Sequence, residues 1–260
     1  MAPLMSISDQ NSAPGSAKPS LSVVAPMYNE AEGAGILVGE IAKALSEIPH
    51  EIVIVDDGSS DATVKVLLEC QKTHRRLRVV RHQQNAGQSR ALHTGVEAAR
   101  ADIVATLDGD GQNDPADIAM LFKRFSELND GDQRIAVAGE RRNRQDSAAK
   151  KIASKWANGV RRRVLRDGAA DTGCGLKVFL RRDFLRLPYF DHMHRYLPAL
   201  FRRDGVTVYF EPVSHRPRVF GASKYTNFGR FMVALRDLLG VVWLLGRARD
   251  PGSIDEDSLE

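Results

Sequence analysis

Glu51 to Gln71 reads EIVIVDDGSSDATVKVLLECQ, and the order of residue types within it decides the fold. The run EIVIV is apolar and β-branched, the composition of a strand covered on both faces. Asp56 to Asp61 follows as a polar turn in which Gly58 admits positive φ. Asp61 then suits the N-cap of a helix over Ala62 to Gln71. Strand, acidic turn, helix is the unit, and it recurs on both sides. Leu21 to Ala25 (LSVVA) ends at Pro26, passes Asn29 and Glu30, and enters a helical period of Ile36, Leu37, Ile41 and Leu45. Leu77 to Arg81 leads through Asn85-Ala86-Gly87 to a helix, Gln88 to Arg100, that turns Ala91, Leu92, Val96 and Ala99 inward. Ile103 to Leu107 runs directly into Asp108.

Strands alternating with helices at this spacing predict an α/β fold, a doubly wound, mostly parallel sheet with helices on both faces. Ligands of such sheets bind beyond the carboxyl ends of the strands. Asn29-Glu30, Asp56-Asp57 and Asp108 to Asp114 all fall at those ends. Acidic groups gathered at one rim repel each other unless a cation or hydrogen-bond donors reside there, so a metal or a donor-rich ligand is implied.

Farther along, Ile118, Leu121, Phe122 and Phe125 mark an amphipathic helix, Asn129 to Asp132 a turn, and Ile135 to Ala138 a strand. Asp146 to Leu165 is basic and helix-compatible. Asp171 to Leu180 is strand-like, Phe184 to Arg203 helical with a break at Pro188, Val206 to Glu211 a strand, and Val213 to Tyr225 a loop.

With 260 residues, 43% of them hydrophobic, the chain can fill a substantial core, which argues against overall disorder. Residues 1–20 read as a flexible lead-in without the apolar stretch of a secretion signal. Cys70 and Cys174 show no metal-ligand spacing, and a reducing cytoplasm is the default. The net charge of +4 is unevenly spread: Arg141 to Arg166 is rich in Arg and Lys, while residues 250–260 form an acidic tail. A basic run is either a solvated helix face or the footprint of an anionic partner. Phe228 to Arg249 carries an uncharged run, Leu238 to Gly246, too short for the ~20 residues of a spanning helix. It is read as an amphipathic helix that either packs on the domain or lies at an interface.

VAPMYNE at Val24 to Glu30, VIVDDGSSDAT at Val53 to Thr63, Asn85-Ala86-Gly87 followed by Ala91 and Gly95, and LDGDGQNDP at Leu107 to Pro115 together resemble family 2 glycosyltransferases. Asp171-Thr172-Gly173-Cys174-Gly175-Leu176-Lys177, then His194 to Pro198, then His215-Arg216 and RVFGASKY at Arg218 to Tyr225 look like that family's polyprenyl-phosphate branch. The branch includes dolichol-phosphate mannose synthases and bacterial undecaprenyl-phosphate sugar synthases. The resemblance implies a GT-A domain over residues 21–227. It also implies inverting transfer of a sugar from a nucleotide-sugar, UDP-linked more readily than GDP-linked, to a polyprenyl phosphate, in service of cell-envelope glycan or lipopolysaccharide synthesis.

Asp108 and Asp110 are two apart at a strand end, where Gly109 and Gly111 let both reach one ion. All-oxygen ligation suits Mg2+ or Mn2+, with Gln112 added to the ligand set by resemblance. By resemblance also, Pro26, Tyr28 and Glu30 lie along the base and ribose, Asp57 accepts from a base N–H, and Arg218, Ser223 and Lys224 close over the donor diphosphate. Arg141 would bind the acceptor phosphate, with Lys150 and Ser154 near a second phosphate-binding element. A phosphomonoester needs charge compensation and alignment more than a strong base. Asp171 is read as orienting the acceptor or acting as a base, with a capping aspartate as its structural alternative. His194 and His215 are read as hydrogen-bonding partners.

Other readings stay open at this level: a family 2 enzyme acting on a glycan acceptor, or a nucleic-acid-binding module. The second is disfavoured because the basic residues lack a stacking aromatic platform and the strand ends are acidic. A nucleotidyltransferase would place a glycine-rich loop after the first strand, where VAPMYNE has none. Many members of the branch carry spanning helices. The expectation for this chain is peripheral attachment to the inner, anionic face of the cytoplasmic membrane, alone, beside a small membrane protein, or as a homo-oligomer.

Overall fold

A computed structural model describes residues 18–129, 133–141, 164–165, 167–169, 171, 173–217 and 227–248. Strands β1 (Leu21–Met27), β2 (His50–Asp56), β3 (Leu77–Arg81), β4 (Ile103–Thr106), β5 (Ile135–Arg141), β6 (Lys177–Leu180) and β7 (Thr207–Val213) form one seven-stranded sheet in the order β3-β2-β1-β4-β6-β5-β7. β6 pairs antiparallel with both β4 and β5, and every other pairing is parallel. The mostly parallel sheet expected from the sequence is therefore present, with one reversed strand inside it.

Helices α1 (Ala31–Ala44), α2 (Thr63–Thr73) and α4 (Ala116–Leu128) cover one face. The other is covered by α3 (Gln88–Ala98), α5 (Arg181–Leu185), a 3-10 turn (Met193–Arg195), α6 (Leu197–Arg203) and α7 (Asn227–Leu245). The apolar strands sort by parity between the two layers, since successive side chains point to opposite faces. Leu21, Val23, Ala25, Ile52, Ile54 and Ala105 join Leu37, Ile41, Leu121 and Phe125. Val24, Val53, Val55 and Val104 join Ala91, Val96, Phe184 and Leu200. Both faces being buried explains why these strands read as continuous apolar runs.

Several expectations need correction in detail. Ile36 is exposed, and Val38 takes the inward position on α1 beside Leu37 and Ile41. β5 extends through Arg141, and only the last part of Asp171 to Leu180 is strand. Phe184 to Arg203 holds only the end of α5, then the 3-10 turn and α6, so most of the expected helix is irregular or short. Helix α7 is packed on the domain: Val241 is buried, with Leu238, Leu244 and Leu245 against the same core. Tyr196 Oη donates to the Ala234 carbonyl at 3.4 Å, and His192 Nδ1 meets Asp237 at 2.9 Å. Among the described residues, no helix is long and apolar enough to cross a membrane. Cys70 and Cys174 are both free thiols.

Candidate active site

The order of strands reverses at β1, whose successors build outward through β2 and β3 while β4 lies on its other side. Such a switch point opens a crevice at the carboxyl ends. Here the exits of β1 and β4 touch: a Cβ on Gly109 would lie 2.4 Å from the Pro26 carbonyl oxygen, so only glycine fits. Because β6 runs against its neighbours, its entrance falls on the same rim as the exits of β4 and β5.

On the β1–β2 side, the two exit turns are laced together. The Asn29 amide donates to Ser59 Oγ at 2.9 Å, the Ser60 amide to Asn29 Oδ1 at 2.8 Å, and the Glu30 amide to Thr63 Oγ1 at 2.9 Å. Asn29 takes φ 54, a left-handed conformation that asparagine tolerates better than most residues. Tyr28 stands 38% exposed at this turn, between Pro26 and Glu30. Asp57 is buried. Its Oδ1 accepts from the Ala86 amide at 2.9 Å and lies 2.7 Å from His82 Nδ1; its Oδ2 accepts from the Gly87 amide at 2.8 Å and Asn85 Nδ2 at 2.9 Å. Those bonds fill the roughly four lone-pair sites of a carboxylate. A base N–H reaches Asp57 only by displacing one of them. The neighbouring Asp56 is also buried, and its Oδ1 has no hydrogen-bond partner among the described residues.

On the β4 exit, Asn113 Oδ1 accepts from the Asp108 amide at 3.1 Å and Asp110 Oδ1 from the Gln112 amide at 3.1 Å, which curls the DGDGQN turn back on itself. Gln88, the first residue of α3, donates from Nε2 to Asp108 Oδ1 at 2.8 Å. Burial, and then the charge of Asp110, push the Asp108 carboxyl up to about 6. The turn thus holds two mutually repelling carboxylates beside a neutral amide, an oxygen-only set suited to a hard divalent cation. From the other side the segment after β7 braces the turn. The Arg216 amide donates to the Gln112 carbonyl at 2.9 Å, and Arg216 Nη2 meets Asp114 Oδ1 at 2.8 Å while Nη1 reaches Glu40 at 2.9 Å.

Around the entrance of β6 stand Arg141, Asp171, Lys177 and His194. Arg141, the last residue of β5, forms a forked pair with Asp171, Nε to Oδ2 at 2.5 Å and Nη2 to Oδ1 at 2.9 Å. The bonds to Asp171 raise the guanidinium pKa above its ordinary value. Lys177 is buried at the entrance of β6 and donates to the Cys174 carbonyl; burial lowers its pKa. His194 Nδ1 lies 2.7 Å from Ser89 Oγ, joining the 3-10 turn to the start of α3. Burial, then the positive charges of Arg195 and Lys177, hold His194 neutral with a pKa pushed down to about 3.

Of the residues singled out in the sequence, the structure brings Pro26, Tyr28, Glu30, Asp57, Asp108, Asp110, Gln112, Arg141 and Asp171 to one rim. Lys150, Ser154, Arg218, Ser223 and Lys224 lie outside the described residues. Gln88, Lys177 and the glycines of the Gly173–Gly175 turn carry no individual role in the sequence reading. Lys177 and both glycines were nonetheless inside a quoted motif, and Gln88 directly follows Asn85-Ala86-Gly87.

A doubly wound sheet with an Asp-Gly-Asp turn at its switch point defines a GT-A glycosyltransferase domain. The chain belongs to the family described as "Glycosyl transferase family 2", which matches residues 22–187, and it is a glycosyltransferase. It is 37% identical over 243 residues to dodecaprenyl-phosphate galacturonate synthase of Rhizobium johnstonii, covering 89% of this chain and 69% of that protein. It is 35% identical over 225 residues to undecaprenyl-phosphate 4-deoxy-4-formamido-L-arabinose transferase of Pectobacterium carotovorum, covering 84% of this chain and 66% of that one. The chain thus spans only about two thirds of the length of these relatives. Among solved structures it resembles glucosyl-3-phosphoglycerate synthase from Mycobacterium tuberculosis in complex with Mg2+ and UDP. That match has a TM-score of 0.65 at 17% identity, covering 90% of this chain and 82% of the other. Mannosyl-3-phosphoglycerate synthase from Rubrobacter xylanophilus gives a TM-score of 0.63 at 17% identity, covering 91% and 79%.

Proposed function

We propose that this protein transfers a sugar, with inversion, from a nucleotide-sugar to a polyprenyl phosphate at the cytoplasmic face of the membrane, in cell-envelope glycan or lipopolysaccharide synthesis. The observation that carries the reading is the meeting on one rim of an oxygen-only acidic turn, Asp108 to Gln112, and an oriented cation, Arg141. The relatives named above act on polyprenyl phosphates, which supports the acceptor class. UDP is preferred over GDP as the carrier because the bacterial branch that the motifs resemble generally uses it.

Asp108, Asp110 and Gln112 would hold Mg2+ or Mn2+, which when bound supplies positive charge to the departing diphosphate. Tyr28, Pro26 and Glu30 line the base and ribose, and Asp57 fixes the Asn85–Gly87 loop on the same side. Gln88 orients the Asp108 carboxylate. Arg141 binds the acceptor phosphate, and Asp171 holds the guanidinium fork toward it. Because the phosphate is already ionised, Asp171 serves as an orienting partner and need not remove a proton. Lys150 and Ser154 would add a second contact to that phosphate, and Arg218, Ser223 and Lys224 would cover the donor diphosphate.

Helix α7 supports attachment to the membrane surface. Its inner face is docked on the domain, while Leu235, Leu239, Val242 and Trp243 lie together on its outer face, with Leu239 64% and Trp243 62% exposed. An apolar stripe flanked by Arg236 and Arg247 suits the headgroup boundary of an anionic leaflet. The test of function is incubation with a panel of UDP- and GDP-sugars, polyprenyl phosphate and Mn2+ or Mg2+, followed by mass spectrometry of the lipid. A glycosylated polyprenyl phosphate is expected, and transfer only to glycan acceptors overturns the reading.

A further inference from the structure

Gly173 and Gly175 sit between the two halves of the rim, and each lies against a different functional side chain. A Cβ on Gly175 would be 2.5 Å from Asp108 Cγ and 2.6 Å from both its carboxylate oxygens. A Cβ on Gly173 would be 2.7 Å from Arg141 Nη2. Neither glycine has positive φ, so backbone conformation does not demand glycine at either place. What each contributes is the space its missing side chain leaves.

The turn carrying them is pinned to the sheet from below. Thr106 Oγ1, at the end of β4, donates to the Gly175 carbonyl at 2.7 Å. Lys177 donates its ammonium to the Cys174 carbonyl, and in the sheet it lies opposite Thr106 on β4 and Ala138 on β5. The Gly173 amide donates to Asp171 Oδ1 at 3.1 Å, which ties the far end of the turn to the Arg141 pair. One short turn therefore abuts the carboxylate of the donor side and the guanidinium of the acceptor side.

We propose that the Gly173–Lys177 turn is the spacer that sets the position of Asp108 relative to Arg141, with Gly175 seating the first, Gly173 seating the second and Lys177 holding the turn in place. These three are positioning residues. The inference rests on the reading of Arg141 as the acceptor-phosphate site. Its consequence is a division of effects: crowding one glycine displaces one side chain and leaves the other where it is. A displacement of about 1 Å at a reacting centre can cost on the order of a hundredfold in rate.

The experiment compares Gly175→Ala, Gly173→Ala and Lys177→Met in the full chain, each checked for folding by its thermal melt. Affinity for Mn2+ with UDP is measured by calorimetry, and KM for undecaprenyl phosphate by turnover. Gly175→Ala should weaken Mn2+·UDP binding by about tenfold or more and leave the acceptor KM within about twofold. Gly173→Ala should do the reverse, and Lys177→Met should move both. If Gly175→Ala fails to fold, Thr106→Val probes the same arm by removing the bond to Gly175, with the same expected loss of Mn2+·UDP affinity. Equal shifts in both quantities from either glycine, or no shift from either, overturn the spacer. If the unaltered enzyme binds Mn2+·UDP but glycosylates no lipid phosphate, the acceptor reading fails by itself. The contrast between the two glycine variants in Mn2+·UDP affinity then still decides whether the turn divides its effects.

Discussion

Arg141 and Asp171 stand thirty residues apart in sequence, yet both nitrogens of one guanidinium edge rest on both oxygens of one carboxylate, at 2.5 and 2.9 Å. The fork fixes the plane of the guanidinium at the cleft, which a single-point contact could not do. Arg141→Lys should raise the acceptor KM by about tenfold to a hundredfold, the scale of one charge-assisted hydrogen bond, with donor affinity little changed. Asp171→Asn should lower kcat/KM without abolishing turnover. A total loss of activity in Asp171→Asn, rescued at high pH, would mark Asp171 as a base instead.

Metal binding should depend on acidity in a defined direction. The Asp108 carboxyl is raised from its ordinary 3.8 to about 6 by burial and then by Asp110. Protons therefore compete with the cation below pH 6, and Mn2+ affinity should fall by about tenfold per unit there. Without metal the sign for stability is the opposite. The folded state holds this proton more tightly than the unfolded one, so stability declines as pH rises from about 4 to 6. Mn2+ titrations across this range check the first claim, and melts in a chelator check the second. Asp110→Asn should shift the affinity profile to lower pH.

His194 should govern part of the acid limb of stability. Its pKa is lowered from 6.5 to about 3, first by burial. A buried neutral histidine contributes stability that is complete above 6.5 and is lost progressively as pH falls toward 3, because the unfolded chain takes up the proton first. His194→Gln should flatten the melting temperature between pH 6.5 and 4. An unchanged slope would count against a buried neutral imidazole.

The Asp57 carboxylate should matter to the fold before it matters to the nucleotide. Asp57→Ala strands the Ala86 and Gly87 amides and costs roughly 3 kcal/mol, read as a lower urea midpoint. Asp56→Asn leaves those amides paired. UDP titration of Asp56→Asn and Asp57→Asn would show which carboxylate the base feels.

Attachment through α7 can be measured with vesicles containing anionic lipid. Leu239→Ser and Trp243→Ser should each reduce the bound fraction by about tenfold in partition coefficient, the scale of burying one large apolar side chain. Unchanged sedimentation of the double variant would place the contact elsewhere.

Much of this was legible in the amino-acid order. Continuous apolar runs such as EIVIV announce strands buried on both sides, and an Asp-Gly-Asp turn at a strand end announces a cation. The direction of β6 was not legible, because Lys177 to Leu180 is four residues long and its partners come from distant parts of the chain. Ile36 fitted a helical period but faces solvent, since Val38 fills the inward place. The division of labour between Asp56 and Asp57 was hidden for a related reason. Adjacent side chains at a strand end point to different neighbours, and only the folded loop at Asn85 to Gly87 distinguishes them. Pairings such as Arg141 with Asp171 or Gly175 against Asp108 have no local signature.

The reversed strand bears on chain length. β6 enters the sheet at the rim where β5 leaves it, and the Arg141–Asp171 bridge holds two positions thirty residues apart at that one place. The entropy of closing a loop grows slowly, by about 0.6 kcal/mol for each doubling in length. Changing the number of residues between Arg141 and Asp171 therefore costs little in loop closure, so long as the buried Leu165, Asp167 and Ala169 keep their places against the sheet. Under the function proposed above, the acceptor side of the rim can change length there while β1 to β4 keep their register.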